Sequence, residues 1–351
     1  VDSDESIRAL RAAHSGFYLS SKTISIGLIG AGNVGATLLQ QIDKQYQRLV
    51  EDFNLDLRVR GIARSRSMLL SDRRVDLSNW RQDYEQHSVD LDLEAFEQHI
   101  NPDHLPHAVM IDCTAEQSIA DRYAGWLERG IHVITPNKKA GSGDFDYYKT
   151  IGELATHANS HFFYETTVGA ALPIISTLQD LTDTGDRVRS LQGIFSGTLA
   201  YLFNVYDGST PFSQIVRKAR DSGYTEPDPR DDLSGMDVAR KLTILSRELG
   251  HTLELGDFPV QSLVPEALQE CGIEEFLDRL SDYDGDMQAM YEQAQAAGKS
   301  LRYVGRLDER GNAAVGLESV GADHPFSHIA LTDNIVQFET DRYSANPLVV
   351  Q

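Results

Sequence analysis

Residues 23–42 read TISIGLIGAGNVGATLLQQI, and this stretch restricts the fold more than any other. Ile24, Ile26, Leu28 and Ile29 form an apolar run of strand length, Gly30-x-Gly32-x-x-Gly35 follows, and ATLLQQI then takes helical apolar spacing. A Gly-x-Gly-x-x-Gly is a weak signal alone, but between a strand and a helix it is a dinucleotide fingerprint. The glycines let the backbone approach a pyrophosphate held at the positive end of the helix dipole. Gly30, Gly32, Asn33, Val34 and Gly35 are therefore candidate cofactor contacts. The bland alternative is a tight turn without a ligand.

A second strand, LDLRVRGIA (55–63), follows the helix. In NAD-specific sheets an acid near the end of this strand takes the ribose 2′-hydroxyl. Here the chain has Ala63-Arg64-Ser65-Arg66 instead. A guanidinium suits a 2′-phosphate, so Arg64 predicts that NADP is preferred or at least accepted, with NAD still possible. AVMIDCT (108–114) reads as a buried parallel strand that brings Thr114 to the cofactor crevice. Cys113 beside it reads as a small buried thiol rather than a nucleophile. A helix (SIADRYAGWLERG), the strand IHVITPN and then Lys138-Lys139 come next. This alternation predicts a doubly wound parallel sheet. Lys138, just past a strand end, is placed for chemistry, with a surface lysine pair as the alternative.

In the second half, HFFYETTVGAALPIISTLQDL reads as a strand ending at Glu165, a turn through Gly169 and a helix. Main-chain carbonyls and a carboxylate in such a turn suit a hard monovalent cation. LQGIFSGTLAYLFNVY runs from a strand through Ser196-Gly197-Thr198 into an aromatic helix; that turn offers polar groups to a substrate or caps the helix. GYTEPDPRDDLSGMDVARK (223–241) holds Glu226, Asp228, Asp231, Asp232 and Asp237 within twelve residues and ends on Lys241. Its glycine and prolines predict a loop over 223–232. Ser234 is then a helix N-cap, with Asp237 at the capping-box position. Val238, Leu242, Leu245 and Leu249 make an apolar stripe, and Asp237 and Lys241 lie four apart on neighbouring faces. Taken alone, this is a surface helix start as readily as a substrate cradle.

The 351 residues suffice for about two domains at roughly 150 residues each. The formal net charge of −21 argues against nucleic acid or an anionic membrane as partner. No apolar run reaches the roughly 18 residues of a membrane helix. The start, VDSDESIRAL, is acidic and polar, unlike a secretory signal. It lacks an initiator Met, which points to a processed chain or a piece of a longer one. Two cysteines without disulfide-framework or zinc spacing fit a reducing cytoplasm. The eleven histidines are scattered, so no transition-metal site is expected.

GLIGAGNVG, TPNKKA, YETTVGAALPII, GIFSGTLAYLFN and GYTEPDPRDDLSGMDVARK stand in the order found in homoserine dehydrogenases. The chain resembles that family from about residue 10 over nearly its whole length. The lead-in RAAHSGFYLSSKTISIG is similar to the region joining aspartate kinase to homoserine dehydrogenase in bifunctional enzymes. The resemblance implies a cytoplasmic oxidoreductase of the aspartate pathway, toward threonine and methionine. It would reversibly reduce L-aspartate 4-semialdehyde to L-homoserine with NADP(H) or NAD(H). It implies Lys241 as general acid/base and Lys138 as a second active-site lysine close to nicotinamide and substrate. Glu226 and Asp237 resemble ligands of the substrate's ammonium and hydroxyl end, Asp232 a supporting acid, and Gly197 and Thr198 groups near the substrate. Pro136, Thr114 and Gly223 fall at cofactor-contacting positions, as does Lys138. Glu165, Val168, Ala170 and Leu172 match a sodium site built mainly from main-chain carbonyls. Asp228 and Asp231 keep the reading of solvated acid.

The implied architecture is a Rossmann-type domain over 1–163, with 1–22 as lead-in. A substrate-binding, catalytic and dimerisation domain with a mixed sheet follows over 164–335, and 336–351 returns toward the cofactor domain. A homodimer is expected, and an aspartate kinase domain upstream. The family continues past NPLVV with a glycine-rich turn and a final helix; with the chain given ending at Gln351, that piece and its cofactor contact are expected to be missing.

Elementary chemistry agrees. A substrate ammonium needs carboxylates within reach. Hydride arriving at the aldehyde carbon builds negative charge on oxygen, which a protonated lysine stabilises and then protonates; the reverse reaction needs the lysine neutral. A free lysine titrates near about 10.4, so homoserine oxidation is expected to speed up at alkaline pH. Another NAD(P)-dependent oxidoreductase, such as aspartate-semialdehyde dehydrogenase, would need a thiolate with a histidine base, and neither Cys113 nor Cys271 has a recognisable partner. A non-catalytic nucleotide-sensing module fits poorly with Lys138, Glu226, Asp237 and Lys241 all present.

Overall fold

The computed structural model describes residues 22–351, so the lead-in at 1–21 lies outside the described residues. The chain divides into two compact units. Among the described residues the first comprises 22–140 and 146–164, the second 141–145 and 165–351.

The first unit is built on a seven-stranded sheet. Its strands are β1 (Lys22–Ile29), β2 (Leu55–Ala63), β3 (Ser67–Leu70), β4 (Val89–Asp90), β5 (His107–Asp112), β6 (Ile131–Ile134) and β7 (Phe162–Phe163), in the order β4-β3-β2-β1-β5-β6-β7. The five strands from β2 to β7 in that order pair in parallel, and β3 and β4 add an antiparallel edge. Strand order reverses between β1 and β5, the switch point beyond which open α/β sheets bind ligands. One apolar layer gathers Leu28, Leu39, Ile62 and Trp80; the other gathers Phe96, Met110, Tyr123 and Trp126. The predicted helix SIADRYAGWLERG is broken into Gln117–Ala120 and Tyr123–Glu128.

The second unit carries β8 (Val188–Ile194), β9 (Lys299–Asp308), β10 (Ala313–Gly321), β11 (Ile335–Thr340) and β12 (Leu348–Val350), in the order β10-β9-β8-β11-β12. Every pair of these strands is antiparallel, which corrects the expected mixed sheet. Strand direction here depends on long helical excursions and one tight hairpin. The Asp308 carboxylate closes that hairpin by accepting the amides of Arg310 and Asn312, each at 2.9 Å. The final segment, expected to return from 336, instead pairs as β11 on β8 and β12 on β11.

Residues 141–145 also depart from the expected boundary, because a buried arginine holds them in the second unit. The Arg247 side chain is 0% exposed and donates to the carbonyls of Gly141 at 3.0 Å and Gly143 at 2.6 Å, while pairing with Glu254 at 2.9 Å. The Phe145 amide donates to the same Glu254 at 2.8 Å.

Candidate active site

The glycine turn is built for close approach. Gly30 has φ +92° and donates its amide to the Ala63 carbonyl at 2.9 Å, which ties the ends of β1 and β2 together. A Cβ on Gly35 would overlap the Gly30 carbonyl oxygen, and one on Gly30 would lie 2.8 Å from the Cys113 carbonyl carbon. The helix Asn33–Phe53 starts at Gly32 with no side-chain cap and no acid in its first turn. Its N-terminal amides and positive dipole end thus suit a pyrophosphate, and these residues fit a dinucleotide. Val34 is exposed in this turn. Arg64, just past β2, lays its guanidinium 4.8 Å from the Tyr84 ring centroid and 5.6 Å from that of Trp80.

Thr114 and the Pro136–Lys138 turn lie beyond the ends of β5 and β6, both on the ligand side of the switch point. Burial, then the neighbouring Asp112 charge, pushes the Cys113 thiol up to about 12, so it is no thiolate nucleophile. Asp112 itself is fully buried and accepts the Thr114 amide at 2.8 Å and Asn137 Nδ2 at 2.9 Å. It also accepts the Tyr123 hydroxyl.

In the second unit the acidic stretch folds into a cradle. Asp228 caps the short helix Pro229–Leu233 and grips the Arg230 guanidinium, its closest contact at 2.6 Å. Arg230 in turn donates to the carbonyls of Gln269 at 2.9 Å and Cys271 at 2.6 Å, which anchors the loop. Asp232 accepts the Glu226 amide at 2.8 Å. Burial raises the Asp232 pKa from its ordinary value, and the charges of Glu226 and Asp237 add to the rise, so both of those acids lie within electrostatic reach of Asp232. Thr198, in the first turn of the helix Gly197–Val205, lies beside Asp232 and donates to the Tyr224 carbonyl at 2.8 Å. Gly223 follows the helix Phe212–Asp221 and lies in the left-handed region, φ +74°.

Lys241 is on the helix Met236–Glu248, with 13% of its side chain exposed. Its Nζ donates to the Phe195 carbonyl at 2.6 Å and pairs with Asp237 Oδ2 at 2.7 Å. The helix starts one residue later than predicted. Gly235 is the N-cap, Ser234 closes the short helix before it, and Asp237 engages Lys241 in place of a capping box.

The turn from Glu165 is tightly wound, with Gly169 at φ +74° and Ala170 at φ +54°. The Glu165 carboxylate is spent on the helix Ile174–Asp183, accepting the amides of Ile175 and Ser176 at 2.8 Å each. Val168 is buried, and the Leu172 amide donates to the Gly169 carbonyl at 2.9 Å. Among the described residues, no group of three or more His, Cys, Asp or Glu side chains is arranged to hold a metal.

The profile described as "Homoserine dehydrogenase, NAD binding domain" matches residues 30–165, and that described as "Homoserine dehydrogenase" matches residues 173–351. The homoserine dehydrogenase of Paracoccidioides brasiliensis is 41% identical over 357 residues, covering 95% of this chain and 93% of its own length. The chain belongs to the homoserine dehydrogenase family. Bifunctional aspartokinase/homoserine dehydrogenase 2 of Arabidopsis thaliana is 49% identical over 354 residues, but this chain spans only 39% of that relative's length. A solved structure from Candida auris, described as of unknown function, superposes with TM-score 0.86 at 37% identity, covering 94% of this chain and 92% of that one.

Within this homoserine dehydrogenase family member, the first unit carries Gly30, Gly32, Asn33, Val34, Gly35, Arg64, Thr114, Pro136 and Lys138. The second carries Glu165, Val168, Ala170, Leu172, Gly197, Thr198, Gly223, Glu226, Asp232, Asp237 and Lys241. Sequence reasoning missed the aromatic seat under Arg64, the buried Asp112 and Asn137, and the Phe195 carbonyl that holds Lys241. WRQDY (80–84) carried a faint signal, with Trp80 and Tyr84 at helical spacing. A backbone acceptor leaves none.

Proposed function

We propose that this chain interconverts L-aspartate 4-semialdehyde and L-homoserine, with NADP(H) preferred over NAD(H). The observation that carries the reading is Lys241, held between a backbone carbonyl and Asp237 beside the acids Glu226 and Asp232. When bound, the nicotinamide cofactor supplies or accepts the hydride. The glycine turn and the uncapped helix start would hold its pyrophosphate, and Arg64 would hold its 2′-phosphate. Glu226 binds the substrate ammonium with Asp232 in support; the incoming positive charge favours the ionised form of Asp232, which burial chiefly, and the charges of Glu226 and Asp237 in addition, disfavour. In the reductive direction the Lys241 ammonium stabilises charge developing on the aldehyde oxygen and donates its proton there. In the oxidative direction a neutral Lys241 takes the hydroxyl proton, with Asp237 orienting Nζ. Lys138 sits at the cofactor side as the second active-site lysine.

The Glu165–Leu172 turn offers main-chain oxygens rather than a carboxylate cluster, which suits a monovalent ion such as sodium better than a divalent one. A fused aspartate kinase fits the bifunctional aspartokinase/homoserine dehydrogenases among its relatives, and a homodimer is the proposed assembly. Two unpaired cysteines fit a reducing compartment, the cytoplasm or, as for the plant relatives, a plastid.

Absorbance at 340 nm with homoserine and NADP tests the activity. Lys241→Ala should cut kcat by about 100-fold or more, the scale of general acid–base catalysis, with little change in NADP affinity. Near-normal turnover in that variant would refute the role.

A further inference from the structure

Asp112 ends β5, and its carboxylate is 0% exposed. Oδ1 accepts the Thr114 amide at 2.8 Å. Oδ2 accepts Asn137 Nδ2 at 2.9 Å and also the Tyr123 hydroxyl. The Asp112 main-chain carbonyl accepts the Thr135 hydroxyl at 2.9 Å, and that hydroxyl oxygen accepts the Asn137 amide at 2.8 Å. Asn137 Oδ1 then accepts the Lys139 amide at 3.0 Å. One side chain thus fastens two turns from different strands, the one bearing Thr114 and the one bearing Pro136 and Lys138.

We propose that Asp112 is a positioning residue for cofactor binding, locking the Thr114 turn and the Pro136–Lys138 turn into one preformed edge for NADP(H). This rests on the cofactor reading given above. A carboxylate is suited to the task because it is acceptor-only and its two oxygens take several donors at once. The three donors here are a backbone amide, a carboxamide and a phenol; the last two, on Asn137 and Tyr123, are buried, and the Thr114 amide is half-buried. An asparagine at 112 has nearly the same shape but only one acceptor oxygen. It would turn an NH2 toward either the Thr114 amide or the Asn137 and Tyr123 donors, so the two turns would lose their common anchor. Burying a carboxylate costs solvation that a locally satisfied turn would avoid. Its place at the switch point ties that cost to what binds there.

The test is NADPH binding by Asp112→Asn, read through nicotinamide fluorescence, together with steady-state kinetics. The dissociation constant and the cofactor KM should rise about tenfold or more, the cost of one poorly satisfied buried group. The homoserine KM should stay within twofold. Ser160→Ala is the control for general loss of stability. It removes a buried hydroxyl that donates to the Leu127 carbonyl at 3.0 Å in the same unit, ahead of β7 and so at the opposite strand end from both turns, and should leave NADPH affinity unchanged. Should Asp112→Asn not fold, Asn137→Ala severs the strap from the β6 side and should show the same selective loss. Unchanged NADPH affinity in Asp112→Asn, or in Asn137→Ala where that variant is used, overturns the positioning role, as does an equal loss in Ser160→Ala. A wild-type chain that fails to bind NADPH overturns the cofactor reading itself.

Discussion

Arg64 is the side chain on which the proposed preference for NADP rests. Its amide donates to the Ser67 carbonyl at 2.9 Å, which fixes the backbone where β2 turns into β3. Its guanidinium rests on Tyr84 and Trp80, so less side-chain freedom remains to be lost when a phosphate arrives. A charge-assisted hydrogen bond contributes about 1.5–3 kcal/mol. Arg64→Ala should therefore raise the KM for NADP by roughly 10- to 100-fold and move the KM for NAD little; an equal effect on both cofactors would remove Arg64 from the 2′-phosphate site. The arginine itself was legible, because a missing acid at the end of a second strand is a local signal. Its aromatic seat was not, since Trp80 and Tyr84 meet it only through packing. The acids divide in the same way. Asp237 and Lys241 were readable as an i,i+4 pair, whereas Asp228 and Asp232 differ by which one Arg230 captures. Nothing in the spacing reveals that capture.

Elements are governed by contacts that no local pattern contains. Gly235 and Gly223 both have φ +74°. A Cβ at 223 meets nothing within 4 Å, but one at 235 would overlap the Tyr303 hydroxyl, which donates to the Gln261 carbonyl at 2.6 Å. Gly223→Ala should cost only the left-handed strain, roughly 1–2 kcal/mol. Gly235→Ala adds roughly 1–3 kcal/mol of overpacking and displaces the start of the helix that carries Lys241. Denaturant melts of the two variants should separate them by that margin; equal losses would show that Tyr303 yields freely. This packing accounts for a glycine at the N-cap of that helix, with Ser234 closing the short helix before it. The β-sheet of the second unit was misread for a related reason, since strand direction rests on partners more than a hundred residues apart. A second element-scale test concerns the histidines entering β5, β6 and β7. His132 and His161 stack with centroids 5.2 Å apart, and His107 lies 6.5 Å from His132. Burial chiefly, then the charges of His161 and His107, lowers the His132 pKa. The unfolded chain therefore binds the extra proton first, and stability falls as pH drops below the ordinary histidine value of about 6.5. His132→Gln should flatten that part of the stability–pH curve. An unchanged curve would clear His132 of the effect.

At the scale of the whole molecule, the excess of 53 acidic over 32 basic residues opposes compaction through self-repulsion. Any salt screens that repulsion, with a Debye length of about 10 Å at 0.1 M. Thermal stability should thus rise with ionic strength whichever cation is used. The Glu165–Leu172 turn adds a separate expectation. A cation that binds only the folded state stabilises it by mass action, about 2.7 kcal/mol at a concentration 100-fold above its dissociation constant. Screening does not distinguish among monovalent cations of equal concentration, but a ring of carbonyls does, because it must replace the ion's hydration shell at a fixed spacing. Tetramethylammonium is too large to enter such a ring, so it reports screening alone. Melting curves in sodium chloride and in tetramethylammonium chloride at matched ionic strength should both shift upward, with sodium the further of the two. Coincident curves would remove the cation from the turn and leave its wound backbone as a brace for the helix that Glu165 caps. Flat curves in both salts would show instead that the charge excess is too dispersed to oppose folding.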